Sequence, residues 1–292
     1  MHILFITLLL LLVNCGPTEE ITTPMVFRPY EYVQIEDFEL KLTKVPNAES
    51  IQLLVGDIAD DSGGYFTTGL VNYSYPRWIQ DDVIDIAVLD NYKIAWKDLK
   101  EVTIDKQAER YSKIIAFLKT RYKKVSCYGH GVGGLELAYF VQQVPNSCDN
   151  LIISGGSLIP NTLAVRGKIE ALLKQEKHFW YNIDVYRELN YGPKVEDFIN
   201  EYEIKRVRSG SLARVLILFS FLDTPIIHSI PVPTLLLTGA DSRLVSPMLL
   251  EENKKRFPNV TAYVQPDAGH SLHFHASRFH GWRTISAWLK EN

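Results

Sequence analysis

Little in this 292-residue chain points outside an ordinary globular protein. Its apolar run, Ile3 to Val13 broken only by Thr7, falls short of the roughly 20 residues that cross a bilayer. Internal repeats and low-complexity tracts are absent, which excludes solenoid and disordered architectures. Charge of one sign is also absent: the formal net charge is -3, and the basic pairs Lys123-Lys124 and Lys254-Lys255 read as solvated faces. No nucleic-acid partner is expected from that balance. There are only 3 cysteines, too few for a disulfide scaffold. What is present is 46% hydrophobic and 22% charged residues, enough for one large domain with a real core.

The apolar run has the length of the apolar region of a secretory signal. Leu12-Val13-Asn14-Cys15-Gly16 follows it and resembles the lipobox of bacterial lipoproteins. It departs from that pattern in having Asn14 before the cysteine and no Lys or Arg before the run. The resemblance implies residues 1–14 as signal peptide, a lipidated Cys15 and a polar tether to residue 28. The mature protein would then be held on a membrane of the cell envelope. Export permits a bridge between the remaining Cys127 and Cys148. Cys127, however, falls in a predicted central strand and reads as a free core cysteine.

Beyond the tether, strand and helix patterns alternate. Short apolar runs at Ser50–Val55, Ile84–Leu89, Lys124–Tyr128, Asn150–Ser154, Val232–Thr238 and Thr261–Gln265 read as buried parallel strands. Asp105–Arg121, Val132–Val144 and Arg278–Leu289 carry helical periodicity. Tyr30–Ile35 and Phe38–Leu42 read as an antiparallel opening pair. The alternation predicts an α/β protein, a mostly parallel sheet covered by helices on both faces. Residues 160–230 break it with helical, aromatic sequence and no clear strand. They read as a helical cap over the sheet's carboxyl edge, with Phe179, Trp180 and Phe221 toward it. The core is then 29–159 and 231–292.

One strand runs into Gly129-His130-Gly131-Val132-Gly133-Gly134 and then a helix. That strand, turn and helix resemble the nucleophile elbow of the α/β-hydrolase family, G-H-S-x-G-G, with Gly131 in the serine column. No Lys-Ser/Thr ending suggests a phosphate loop. The resemblance implies an oxyanion region made by Val132 and by the loop after the first parallel strand. That loop ends here in Gly56-Asp57, where His-Gly is usual. Asp57 either places a carboxylate beside developing negative charge, the wrong sign for an oxyanion hole, or turns out to solvent. Gly239-Ala240-Asp241-Ser242-Arg243-Leu244-Val245 resembles the family's acid segment, with Ser242 in the acid column and Asp241 one residue early. Asp241 either swings in to the histidine or caps the helix that begins near Pro247. Gly269-His270-Ser271-Leu272-His273 resembles the histidine segment, with His270 in the general-base column.

Glycine cannot form an acyl-enzyme. With the acid displaced and the oxyanion loop altered as well, the chain reads as an α/β-hydrolase-fold lipoprotein with a degenerate site. Its role would be to bind a small ligand or a protein, or to serve as a scaffold. The alternatives are a lyase- or oxygenase-like enzyme using His270, aided by Asp241 or Asp57, as general base without a covalent step, and an unusual hydrolase. No cofactor is expected. No metal site is expected either, although His270 and His273 could share a face.

Overall fold

Strands whose every residue is apolar or buried belong at the centre of a sheet, and the chain has several. In the computed structural model the residues described are 30–35, 38–57, 71–79, 84–90, 103–159 and 226–292, with isolated residues between 66 and 221. The expected signal, Cys15 and tether lie outside them. Eight strands form one sheet: β1 (Glu31–Ile35), β2 (Phe38–Leu42), β3 (Ser50–Val55), β4 (Ile84–Asp90), β5 (Lys124–His130), β6 (Asn150–Ser154), β7 (Thr234–Gly239) and β8 (Val260–Gln265). Their order is β1-β2-β4-β3-β5-β6-β7-β8. β2 runs antiparallel to both neighbours, pairing Leu40 with Val33 and with Leu89. Every other pairing is parallel. The α/β architecture expected from the sequence is therefore the observed one.

Among the described residues five helices cover the two faces: α1 (Tyr75–Ile79), α2 (Ile104–Lys119), α3 (Val132–Gln143), α4 (Pro247–Arg256) and α5 (Arg278–Glu291). Helix α2 starts where Thr103 accepts a hydrogen bond from the Lys106 N–H, and it buries Ala108, Tyr111, Ile114, Ile115 and Leu118. That stripe joins Leu137, Phe140 and Val141 of α3 and Leu250 of α4 in one apolar cluster. On the other face Tyr75 and Ile79 of α1 meet Trp282, Ile285 and Trp288 of α5. Among the described residues no helix is long and apolar enough to cross a membrane.

Two expectations need correction. Cys127 and Cys148 are bonded, where a free core cysteine was expected from the strand pattern. β5 and β6 are neighbours, so the turn entering β6 brings Cys148 back beside Cys127 with the Cα atoms 5.9 Å apart, a separation that suits a bridge. Within residues 160–230, most of which lie outside the described set, Phe179–Trp180 pairs antiparallel with Ser209–Gly210, where no strand was expected. This pair stands apart from the main sheet, and β6 and β7 are adjacent on either side of the segment. Phe221 is buried in the first apolar cluster, and Tyr191 and Ile199 are buried in the second.

Candidate functional site

Parallel strands end together, so the loops leaving β3, β5, β6 and β8 meet at one edge of the sheet. Gly131 follows β5 at φ 53 and ψ -122, a conformation that L side chains rarely adopt, and its N–H donates to the Ser154 carbonyl at 2.9 Å. A Cβ built on Gly131 would stand 2.4 Å from Cγ of Asp57. The Asp57 carboxylate thus fills the space a side chain at the turn would take. Its Oδ1 accepts from the Val132 N–H at 2.9 Å, and its Oδ2 lies 3.6 Å from His270 Nε2. His130, the last residue of β5, completes the group: one ligand-type atom from each of Asp57, His130 and His270 lies within 4.8 Å of the others. His130 Nδ1 is 2.9 Å from the Ser154 carbonyl oxygen and 3.0 Å from its Oγ.

The two histidines are buried, while the Asp57 side chain keeps 23% of its surface exposed. Burial alone would raise the Asp57 carboxyl. Contact with His270, the positive charge available at His130 and His270, and the Val132 N–H together outweigh it and hold the group well below the usual carboxylate range. Asp57 is therefore a carboxylate that turns inward.

Solved structures share this architecture. An α/β-hydrolase fold protein from Chitinophaga pinensis superposes with a TM-score of 0.61 at 13% identity, over 91% of this chain and 98% of its own. The chain has the α/β-hydrolase fold. An esterase from Exiguobacterium antarcticum matches with a TM-score of 0.67 at 13% identity, covering 89% of this chain and 99% of its own. A membrane phospholipase A described as a bacterial virulence factor matches at 0.66 and 16% identity, covering 90% and 86%. No protein-family model and no curated protein sequence matches the chain.

Within the α/β-hydrolase fold the acid segment goes elsewhere. Asp241 is exposed, and His270 Nδ1 has no hydrogen-bond partner among the described residues, so the structure does not bring these two together. Ser242 is buried, but its Oγ accepts from the Val245 N–H at 3.2 Å and serves its own turn. The cap of α4 is Ser246, whose Oγ accepts from Leu249, rather than Asp241. His270 instead meets Asp57 and His130, not His273. The sequence reading used His130 only as a motif match. Its place at the carboxyl end of a central strand, one residue before the turn, was the available signal.

His273 and His275 are structural. His273 Nε2 lies 2.8 Å from the Tyr128 hydroxyl, among the rings of Phe66, Tyr75 and Trp282. His275 Nε2 accepts from the Gly269 N–H at 2.9 Å and so fixes the loop that carries His270. The same loop is held from outside by Asn190, whose carbonyl accepts from Ser271, and by a bridge from Val195 to His275. Burial pushes the His275 imidazole down to about 4 and lowers His273 as well. Unfolded histidine titrates near 6.5, so below that the unfolded chain takes up protons that the folded chain refuses. The stability due to the neutral rings is complete above about pH 6.5 and is lost as pH falls toward 4. His275 alone should account for about 3 kcal/mol of that loss. Urea midpoints should fall between about pH 7 and about pH 4.5, and less steeply in His275→Gln. A flat midpoint over this range would contradict the assignment.

Proposed function

We propose that this protein is a non-acylating member of the α/β-hydrolase fold, a binding protein whose site is built from Asp57, His130 and His270. The observation that carries this reading is the Asp57 carboxylate at Gly131. A carboxylate accepting from Val132 N–H occupies a donor that acyl-transfer chemistry would need for its oxyanion. A glycine at the turn leaves nothing to acylate. The structural neighbours named as esterase and phospholipase support the fold and carry no substrate over to this chain.

The general-base alternative fits less well. An imidazole that takes a substrate proton at Nε2 is oriented by a carboxylate at Nδ1. Here the carboxylate stands at Nε2, while Nδ1 is buried without a partner among the described residues. The wild-type protein is expected to show no burst with an activated short-chain ester and no label from a fluorophosphonate. A stoichiometric adduct on intact-mass spectrometry would refute the reading.

We also propose that Cys15 is lipidated and holds the domain at the cell envelope. The apolar run and the Leu12–Cys15 segment support this, and so does the Cys127–Cys148 bridge, because disulfides persist in oxidising compartments. Fatty-acid labelling should mark the protein and vanish in Cys15→Ala. Unlabelled wild type would end the idea.

A further inference from the structure

We propose that Asp57, His130 and His270 form a binding site for one divalent transition-metal ion of the zinc class. This deepens the reading above and rests on it, since it names the ligand that a non-acylating site would hold.

The donor set is the first argument. Two imidazole nitrogens and one carboxylate oxygen suit Zn(II) and its first-row neighbours, whereas Mg(II) and Ca(II) prefer all-oxygen sites. Three protein ligands leave a fourth position open to water or a small ligand.

Spacing is the second. Zinc bonds to nitrogen and oxygen of about 2.0–2.1 Å put tetrahedral ligand atoms about 3.3 Å apart. His270 Nε2 and Asp57 Oδ2 are already 3.6 Å apart, and the whole group fits within 4.8 Å. Small side-chain rotations close the rest.

The third argument is the shell around the ligands. A backbone carbonyl only accepts, so His130 Nδ1 carries its hydrogen toward Ser154, and in the neutral ring Nε2 would offer its lone pair to a metal. An outer N–H held by a carbonyl is the arrangement that orients metal-binding histidines. Asp57 is held likewise: the Val132 N–H fixes Oδ1 and leaves Oδ2 toward His270. His270 is 3% exposed, and its Nε2 is the ring nitrogen that faces Asp57 Oδ2.

Gly155 supplies the fourth. It sits just after β6 at φ +64, and a Cβ there would lie 2.7 Å from His270 Cε1 and 2.9 Å from His130 Cε1. Only a residue without a side chain lets both rings close on the same point.

The test uses the full-length protein, purified in detergent and stripped with a chelator. Titration calorimetry with Zn(II) should show one site per chain with micromolar or tighter affinity. Asp57→Asn and His130→Gln should each weaken it on the order of 100-fold. His280→Gln, at an exposed histidine of α5, should leave it unchanged. Co(II) in the unmodified protein should give the intense visible bands of a low-coordinate site, a readout that needs no variant to fold. Absence of one-to-one binding, affinity that survives Asp57→Asn, or the weak bands of octahedral Co(II) would overturn the site. Failure of zinc to bind, with no acylation by the ester, would remove the metal site alone. Acylation of the wild-type protein would remove the reading beneath it.

Discussion

Gly131→Ser is expected to destabilise the protein by about 1–3 kcal/mol and to create no acyl-enzyme burst. The backbone at this turn is one that a serine occupies only under strain, and the new Cβ would collide with the Asp57 carboxylate. Relieving the collision should relieve part of the cost. Gly131→Ser combined with Asp57→Gly should recover on the order of 1 kcal/mol relative to the single change, a coupling that a double-mutant cycle would read directly. Activity should still be missing. A serine hydroxyl is a weak nucleophile unless an oriented imidazole takes its proton. His270 has no carboxylate at Nδ1, and Ser242 is committed to Val245. The triple change that adds Ser242→Asp supplies a carboxylate in that segment and is expected to react fastest of the three. A rapid burst from Gly131→Ser alone would mean that one substitution separates this protein from a working hydrolase.

Removing the Cys127–Cys148 bridge is expected to cost about 3 kcal/mol, the loop-closure value for its 21-residue separation. The bridge spans the end of β5, the turn at Gly131, all of α3 and the entry to β6, so it staples the unit that positions the site. Both sulfurs are inaccessible in the native fold, Cys127 at 0% and Cys148 at 1% exposure. Reductant should therefore act slowly until the chain opens. Cys127→Ala with Cys148→Ala should lower the urea midpoint under oxidising conditions. The same drop should appear in the wild type refolded with reductant. An unchanged midpoint in both would show that the pair contributes nothing to stability.

Much of the fold was legible because its signals are local. Ser50–Val55 and Asn150–Ser154 are apolar runs with clear ends, and the structure gives them the expected bounds. β5 extends past the expected Tyr128 to His130, because Gly129 and His130 carry no strand propensity and are held by pairing with β6. Helix α1 went unread: it has five residues, including Pro76, and no room for periodicity. The site was legible in its motifs and not in its contacts. From sequence, Asp57 could face inward or outward with equal reason. The choice depends on an empty volume at Gly131 and a free N–H on Val132, both contributed by an element 75 positions away. The disulfide is a similar case. Spacing does not reveal that β5 and β6 lie side by side, and that adjacency is what brings the two sulfurs into range.

The carboxylate lodged against Gly131 also fixes how this site can change by single steps. Replacing the glycine first meets the collision and the backbone strain. Replacing Asp57 first leaves the Val132 N–H and the Nε2 side of His270 without the group they now face. Each step is harmful on its own, and the two costs do not simply add. A selection or library screen that samples one position at a time will therefore report both as intolerant. Only libraries that vary positions 57 and 131 together can reach a serine-bearing neighbour of this sequence.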